Sequence, residues 1–297
     1  MFPIYWFAAA ALGLAMALGV PLDTPQGTTL ASMVFIGGGL PHGAYDIALL
    51  RRAVALDRTA LILAVMGYAG VALLMVVLWM TVPLVALMLF LTVAAVHFGG
   101  DWPMLDEPLL RCAAGAAVIA AATIGHPADV AALFVTMSDP RAAIIAQIIT
   151  AAAPVALLVT TIGVVVAWQG GSGRWAGAMT SCLALLMLLP PAWGFALFFV
   201  FLHSPRHLAD TRMALSDMPL TRWFATGAFL SLLTVVGWLA LRRVAPQDLD
   251  LPVVAQAFQM LASVAVPHLL LSRQLERRLD RAERSARRLP EDTAALA

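Results

Sequence analysis

Long apolar stretches, interrupted by short segments with charged residues, proline or glycine, follow one another along almost the whole chain. A membrane-crossing helix needs about 20 apolar residues to span roughly 30 Å of hydrocarbon. The breaks predict ten helices, over residues 3–20, 29–50, 59–80, 83–100, 110–127, 142–168, 175–190, 192–209, 222–242 and 252–272. The number of crossings falls to eight if the pair of helices joined at residues 81–83, or the pair joined at 190–191, is re-entrant.

Composition supports the same class of protein. The chain is 62% hydrophobic and 12% charged, with a mean hydropathy of +0.89. Such a chain cannot cover a soluble globule with polar surface. We therefore expect an all-α, polytopic membrane helix bundle, with residues 1–272 as a single transmembrane domain. The first stretch lacks a preceding basic residue and a clear cleavage site, so it is expected to be a retained helix rather than a signal peptide.

Arginine placement predicts the orientation of this bundle. The chain has 18 basic residues and no lysine. With ten crossings, fifteen arginines fall on one side and three, Arg141, Arg242 and Arg243, on the other. The positive-inside rule makes the first side cytoplasmic, so both termini are expected in the cytoplasm. The net charge of +1 gives no indication of nucleic-acid binding.

Residues 273–297 form an Arg-rich tail, expected in the cytoplasm. Leu275, Leu279, Ala282, Ala286 and Leu289 recur at spacings of four and three, which predicts a helix with a narrow apolar seam. This helix could extend the last crossing into solvent, lie on the anionic leaflet, or pair with a second copy of the chain to form a homo-oligomer.

Histidines within the apolar stretches are the candidate functional residues, because polar side chains at membrane depth are expensive and usually functional. On the ten-helix topology, four of them lie at a similar depth near the cytoplasmic side. His268 lies near the inner end of the last helix and is a potential neighbour, whereas His126 falls on the opposite side. The four are His42, His97, His203 and His207.

Spacing strengthens the case for a shared site, since residues four apart stack on one face of an α-helix. His203 and His207 form one such pair and could supply two metal ligands from one face. The other two pairs are His42 with Asp46 and His97 with Asp101. Each Asp could accept a hydrogen bond from the free ring nitrogen of a ligating His, or could instead anchor a helix at the membrane edge.

The type of the candidate ligands limits which metals could bind but does not select one. Four neutral imidazoles with no thiolate suit iron, zinc, copper or nickel. Octahedral Fe(II) with four His would keep two positions open, which favours oxygen chemistry on a lipid-soluble substrate. A site of two His and one carboxylate, using Asp46 or Asp101, is a less favoured variant. No residue is a clear general acid or base.

Other classes of metal protein fit less well. A di-iron desaturase would need more histidines and adjacent His-His pairs, and a haem protein would leave two of the four unexplained. A membrane metal-ion transporter, or another metal-binding membrane protein, is the main alternative. A transport pathway should carry polar residues at several depths, whereas here they concentrate on the inner side.

The short sequence motifs around these histidines also resemble those of a known family. The resemblance to the Brp/Blh family of membrane β-carotene 15,15'-dioxygenases runs in order from residue 39 to 270. The residues that carry it are Gly39-Leu40-Pro41-His42-Gly43-Ala44 with Asp46, His97-Phe98-Gly99 with Asp101, His203-Ser204 with Arg206-His207, and Pro267-His268.

The resemblance implies a bacterial multi-pass protein of the cell membrane that cleaves the central double bond of all-trans-β-carotene with O2, giving two all-trans-retinal. It implies a non-haem Fe(2+) held by His42, His97, His203 and His207. A microbial rhodopsin is an expected recipient of the retinal. A tetraterpene is about as long as the bilayer core is thick, so we expect lateral access through a tunnel lined by aromatic residues such as Phe199. Tyr45 is expected only to shape the site.

Overall fold

The computed structural model describes residues 3–54, 56–244 and 251–272. Within these ranges every regular element is helical, which confirms the predicted all-α bundle. The tail 273–297, and with it the expected homo-oligomer contact, lies outside the described residues. The helices are α1 Pro3–Ala17, α2 Pro25–Gly39, α3 Asp46–Ala53, α4 Arg58–Thr81, α5 Pro83–Phe98, α6 Pro108–Gly125, α7 Pro127–Met137, α8 Ala142–Gln169, α9 Gly173–Leu188, α10 Pro191–Phe198, α11 Ser204–Ala214, α12 Leu220–Val244 and α13 Val253–Ser272.

Proline and short polar side chains mark where these helices begin. Pro83 and Pro191 each occupy the first turn of a helix, where the missing N–H would be unpaired in any case. Asp57 caps α4 by accepting a hydrogen bond from the Ala60 N–H at 2.7 Å. The helix boundaries therefore follow from the breaks in the apolar pattern.

Seven segments in the described part of the chain are long and apolar enough to cross a membrane. Three predicted crossings are not among them: α1 and α9 are shorter apolar helices, and the stretch 192–209 is divided among α10, a π-helical turn and α11. Ten crossings and a cytoplasmic location for both termini therefore stay predictions. The seven segments are Pro25–Ala53, Arg58–Thr81, Pro83–Asp101, Pro108–Gly125, Ala142–Gln169, Leu220–Arg243 and Val253–Ser272.

Helix α7 has no counterpart among the ten predicted helices. Pro127 starts it directly after α6, and its 11 residues span only about 16 Å at 1.5 Å per residue. That length is too short to cross the hydrocarbon core, so α7 is a short connecting helix.

Among the seven candidate spans, burial distinguishes a central helix from two peripheral ones. In the most apolar part of α13, 67% of residues are buried, whereas the corresponding value is 6% for both α4 and α12. Small residues allow close approach in the centre: a Cβ on Gly115 of α6 would lie 2.0 Å from the Ala95 carbonyl oxygen of α5. Helices α4 and α12 consequently present most of their surface outward.

Candidate metal centre

His42 lies on an irregular segment that its glycine-rich surroundings produce. Helix α2 ends at Gly39, and a 3₁₀ segment, Leu40–Tyr45, carries His42. Gly39 cannot take a side chain without displacing Phe199, whose ring would lie 2.1 Å from an added Cβ. The His42 Nδ1–H donates to the Gly39 carbonyl oxygen, which leaves Nε2 for another partner.

His97 lies in the last turn of α5, and the chain then tightens. A 3₁₀ turn, Gly99–Asp101, follows and buries the Asp101 side chain. Arg206 Nη1 donates to the Asp101 carbonyl oxygen at 2.9 Å, which fixes this turn against α11.

A π-helical turn presents the next two histidines. Between α10 and α11 the chain widens over Phe199–His203, with the Ser204 N–H donating to the Phe199 carbonyl oxygen. Pro205, in the first turn of α11, needs no donor there. The His203 and His207 ring centroids are 4.4 Å apart, so the predicted i,i+4 pair does face one site. Single π-helical turns occur frequently at functional sites.

The four predicted histidines converge as the sequence indicated. His97 Nε2 and His203 Nε2 are 3.0 Å apart. The His42 ring centroid lies 6.1 Å from that of His97 and 6.0 Å from that of His207. Ligand atoms of His97, His203 and His207 all lie within 4.8 Å of one another, and the same holds for His42, His97 and His268.

His268 is therefore a member of the cluster rather than a neighbour of it. Its ring centroid is 5.1 Å from those of both His42 and His97, and the residue is 8% exposed. His126, in contrast, precedes the first residue of α7, with its Nδ1 3.5 Å from Asp129 Oδ2. Among the described residues it belongs to neither group of potential ligands.

Each aspartate pairs with a histidine of the cluster, but not with the histidine four residues before it. Asp101 Oδ2 lies 2.7 Å from His203 Nδ1, not beside His97, and Asp46 Oδ2 lies 2.8 Å from His268 Nδ1, not beside His42. The i,i+4 rule failed because both stretches leave α-helical geometry, through the 3₁₀ segments Leu40–Tyr45 and Gly99–Asp101.

The phenol near the site is Tyr68 rather than Tyr45. Tyr45 stacks on Trp223 at 3.7 Å between centroids and donates to the Trp223 carbonyl oxygen, so it shapes a separate small core. Tyr68 of α4 donates to Asp46 Oδ2 at 3.1 Å. No sequence pattern linked Tyr68 to Asp46, since the contact depends on how α4 packs.

The donor set fits a divalent metal. Two imidazole nitrogens that bind one metal at about 2.1 Å lie roughly 3 Å apart when the nitrogen–metal–nitrogen angle is near 90°. The Nε2 atoms of His97 and His203 have this separation. His207 Nε2 and His268 Nε2 are buried without a hydrogen-bond partner, an arrangement that costs free energy unless something binds them. Two buried carboxylates, Asp46 and Asp101, lie beside the imidazoles and would balance two positive charges.

An apolar cavity of about 500 Å³ adjoins the cluster. His42, His97 and His268 form part of its wall, and Phe199 lines it as predicted. The remaining lining is mostly apolar, with Asp46 and Tyr68 among its polar members, and comes from the segment Leu40–Tyr45, α3, α4, α5, α10, α12 and α13.

The opening of this cavity faces the outside of the bundle. Leu73 of α4 and Leu233 of α12 both line the cavity, yet they are 54% and 55% exposed. The cavity thus opens between the two peripheral helices, on a surface that is apolar enough to lie in lipid.

Fold and site together define a helical membrane-type protein in which buried histidines face an apolar cavity. The family model for β-carotene 15,15'-dioxygenase matches residues 31–276, and the chain therefore belongs to this family. Comparisons with curated proteins and with solved structures returned no significant match.

Proposed function

We propose that the protein is a non-haem Fe(2+) dioxygenase that cleaves the central 15,15' double bond of all-trans-β-carotene with O2 to give two all-trans-retinal. The observation that carries this proposal is the junction of the histidine cluster with an apolar cavity open to the lipid side. Family membership supports carotene dioxygenase activity, and the cavity suits a substrate with no polar group.

His42, His97, His203 and His207 would hold the iron. Bound there, Fe(2+) would supply the binding and activation of O2 that oxidative cleavage of a carbon–carbon double bond needs. The protein's own part is to orient the imidazoles: Gly39 accepts from His42 Nδ1–H and Asp101 from His203 Nδ1–H, so the Nε2 lone pairs face inward.

Aromatic side chains would position the polyene beside the histidines. Phe98, Phe195 and Phe199 line the cavity, and the Phe199 ring lies 5.3 Å from the His42 ring between centroids. Flat, rigid rings suit a flat conjugated chain, and they exclude water from the reacting bond. A carotene dissolved in the bilayer would reach them through the opening between α4 and α12.

The reaction needs no proton donor or acceptor overall. One C=C bond and the O=O bond break, two C=O bonds form, and both oxygen atoms end in the two aldehydes. This balance assigns no general acid or base role to the titratable groups that line the cavity, which are Asp46, Tyr68 and three histidines. Retinal would leave through the same opening into the cell membrane, where a microbial rhodopsin could take it up without docking on this protein.

Expression in a bacterium that accumulates β-carotene tests the proposal. We expect loss of the orange colour, appearance of retinal in pigment extracts, and iron in the purified protein. Orange cells without retinal, despite iron-loaded protein in the membrane, would refute the β-carotene assignment. Uptake of a metal ion into sealed vesicles without any retinal would favour a transporter instead.

A further inference from the structure

His268 meets the criteria of a metal ligand although the four-histidine set leaves it out. It lies on α13, the most buried of the seven candidate spans. Its ring is 5.1 Å from the rings of His42 and His97 between centroids. Its Nε2 is buried and has no hydrogen-bond partner. An unpartnered nitrogen in this position is costly unless a bound group satisfies it.

A chain of hydrogen bonds orients this imidazole. His268 Nδ1 lies 2.9 and 2.8 Å from the two carboxylate oxygens of Asp46, so the ring donates its Nδ1 proton to that carboxylate. Tyr68 then donates its hydroxyl proton to Asp46 Oδ2 at 3.1 Å. The Nε2 lone pair is left to face the cluster, as in the usual carboxylate–histidine–metal arrangement.

The two sides of the cluster are built alike. Asp101 orients His203 on one side, and Asp46 orients His268 on the other. The His203 pair has a further polar neighbour in Arg206, whose Nη1 donates to the Asp101 carbonyl oxygen. The polar neighbour of the His268 pair is Tyr68, which donates to the Asp46 carboxylate itself and also lines the cavity.

We propose that His268 is a fifth nitrogen ligand of the metal held by the other four histidines, positioned by Asp46 and Tyr68. This inference rests on the proposed function, since it concerns the same metal. This coordination would connect α13 and α4 to the metal centre. Helix α4, which borders the opening of the cavity, would then also support a metal ligand.

Anaerobic titration of the full-length, detergent-purified protein with Co(2+) tests the assignment, since visible absorption of Co(2+) reports its coordination. We expect His268→Ala to weaken binding by at least about 100-fold, because loss of an outer hydrogen bond alone costs about 10–100-fold. Asp46→Asn should weaken binding by about 10–100-fold, and Tyr68→Phe by less. Leu270→Ala is the matched control: Leu270 lies on the same helix, is 55% exposed and does not line the cavity, so the variant should bind Co(2+) as the parent does.

Added imidazole separates a ligand from a structural residue. Binding and the parent spectrum should return to His268→Gly when free imidazole is supplied. Asp46→Asn keeps the imidazole, and it reports on the pair should the alanine variant fail to fold. Suppose that the parent protein binds one Co(2+) and makes retinal. Unchanged Co(2+) affinity and an unchanged spectrum in His268→Ala would then overturn the fifth ligand but not the proposed function. A parent that binds no metal would overturn this inference together with the iron centre.

Discussion

Asp101 Oδ2 and His203 Nδ1 lie 2.7 Å apart in the centre of the bundle, and this pair joins the end of α5 to the π-helical turn before α11. Both side chains are almost fully buried, at 3% and 0% exposure. A buried carboxylate must be paired to be tolerated. The pair therefore sets the orientation of one histidine and joins two segments of the fold.

Replacing Asp101 with Asn should weaken metal binding. The amide keeps the shape of the carboxylate but removes its negative charge, so the His203 imidazole becomes a poorer ligand. We expect Co(2+) affinity to fall by about 10–100-fold, with the protein still monodisperse in detergent. Asp129→Asn, which changes the partner of the distant His126, serves as the control and should bind Co(2+) as the parent does.

Each of the four histidines should be essential for retinal formation. Alanine at His42, His97, His203 or His207 removes one inward-facing nitrogen. We expect iron content to fall well below one per chain and retinal to disappear from cells that accumulate β-carotene. His126→Ala should leave both quantities unchanged, and an equal loss there would contradict the assignment of the site.

Filling the cavity should block cleavage while leaving the metal centre intact. Ala72 of α4 lines the cavity, so a tryptophan there would occupy the space proposed for the polyene. We expect at least about tenfold less retinal at unchanged iron content. Leu63 lies on the same helix, is 66% exposed and does not line the cavity. Equal loss with Leu63→Trp would show that α4 tolerates no bulky residue and would remove the argument for this cavity.

Gly115 should tolerate no side chain. An added Cβ would lie 2.0 Å from the Ala95 carbonyl oxygen and 2.4 Å from the Gly99 nitrogen, and backbone atoms cannot move aside as a side chain can. Such overpacking costs about 1–3 kcal/mol or more. We expect Gly115→Ala to lower the temperature at which the detergent-solubilised protein loses its monodisperse peak. Gly70→Ala meets nothing within 4 Å and should leave this temperature unchanged or slightly higher.

The positions of most helices, and the convergence of four histidines, could be predicted from the sequence. Hydropathy alone located the long apolar segments, and helical depth then grouped His42, His97, His203 and His207. The partners of Asp46 and Asp101 could not be predicted in this way. Their pairing depends on short departures from α-helical geometry, which shift side-chain direction without changing the apolar pattern.

Tyr68 illustrates a second limit. Its hydroxyl reaches Asp46 only because the outward-facing helix α4 turns one polar position toward the centre. A helix that is apolar on nearly every side carries no periodicity from which its inner face could be read. Such contacts require the packed structure.

The π-helical turn Phe199–His203 makes the length of this segment a constraint in its own right. Successive residues of an α-helix are rotated by about 100° about the helix axis, so removing one residue from the turn would rotate the aromatic face of α10 relative to α11. A relative one residue shorter between Pro191 and Pro205 would keep every histidine yet lose their alignment with the cavity. Counting residues across this segment is thus a way to separate relatives able to hold a polyene against the cluster from those that retain only its ligands.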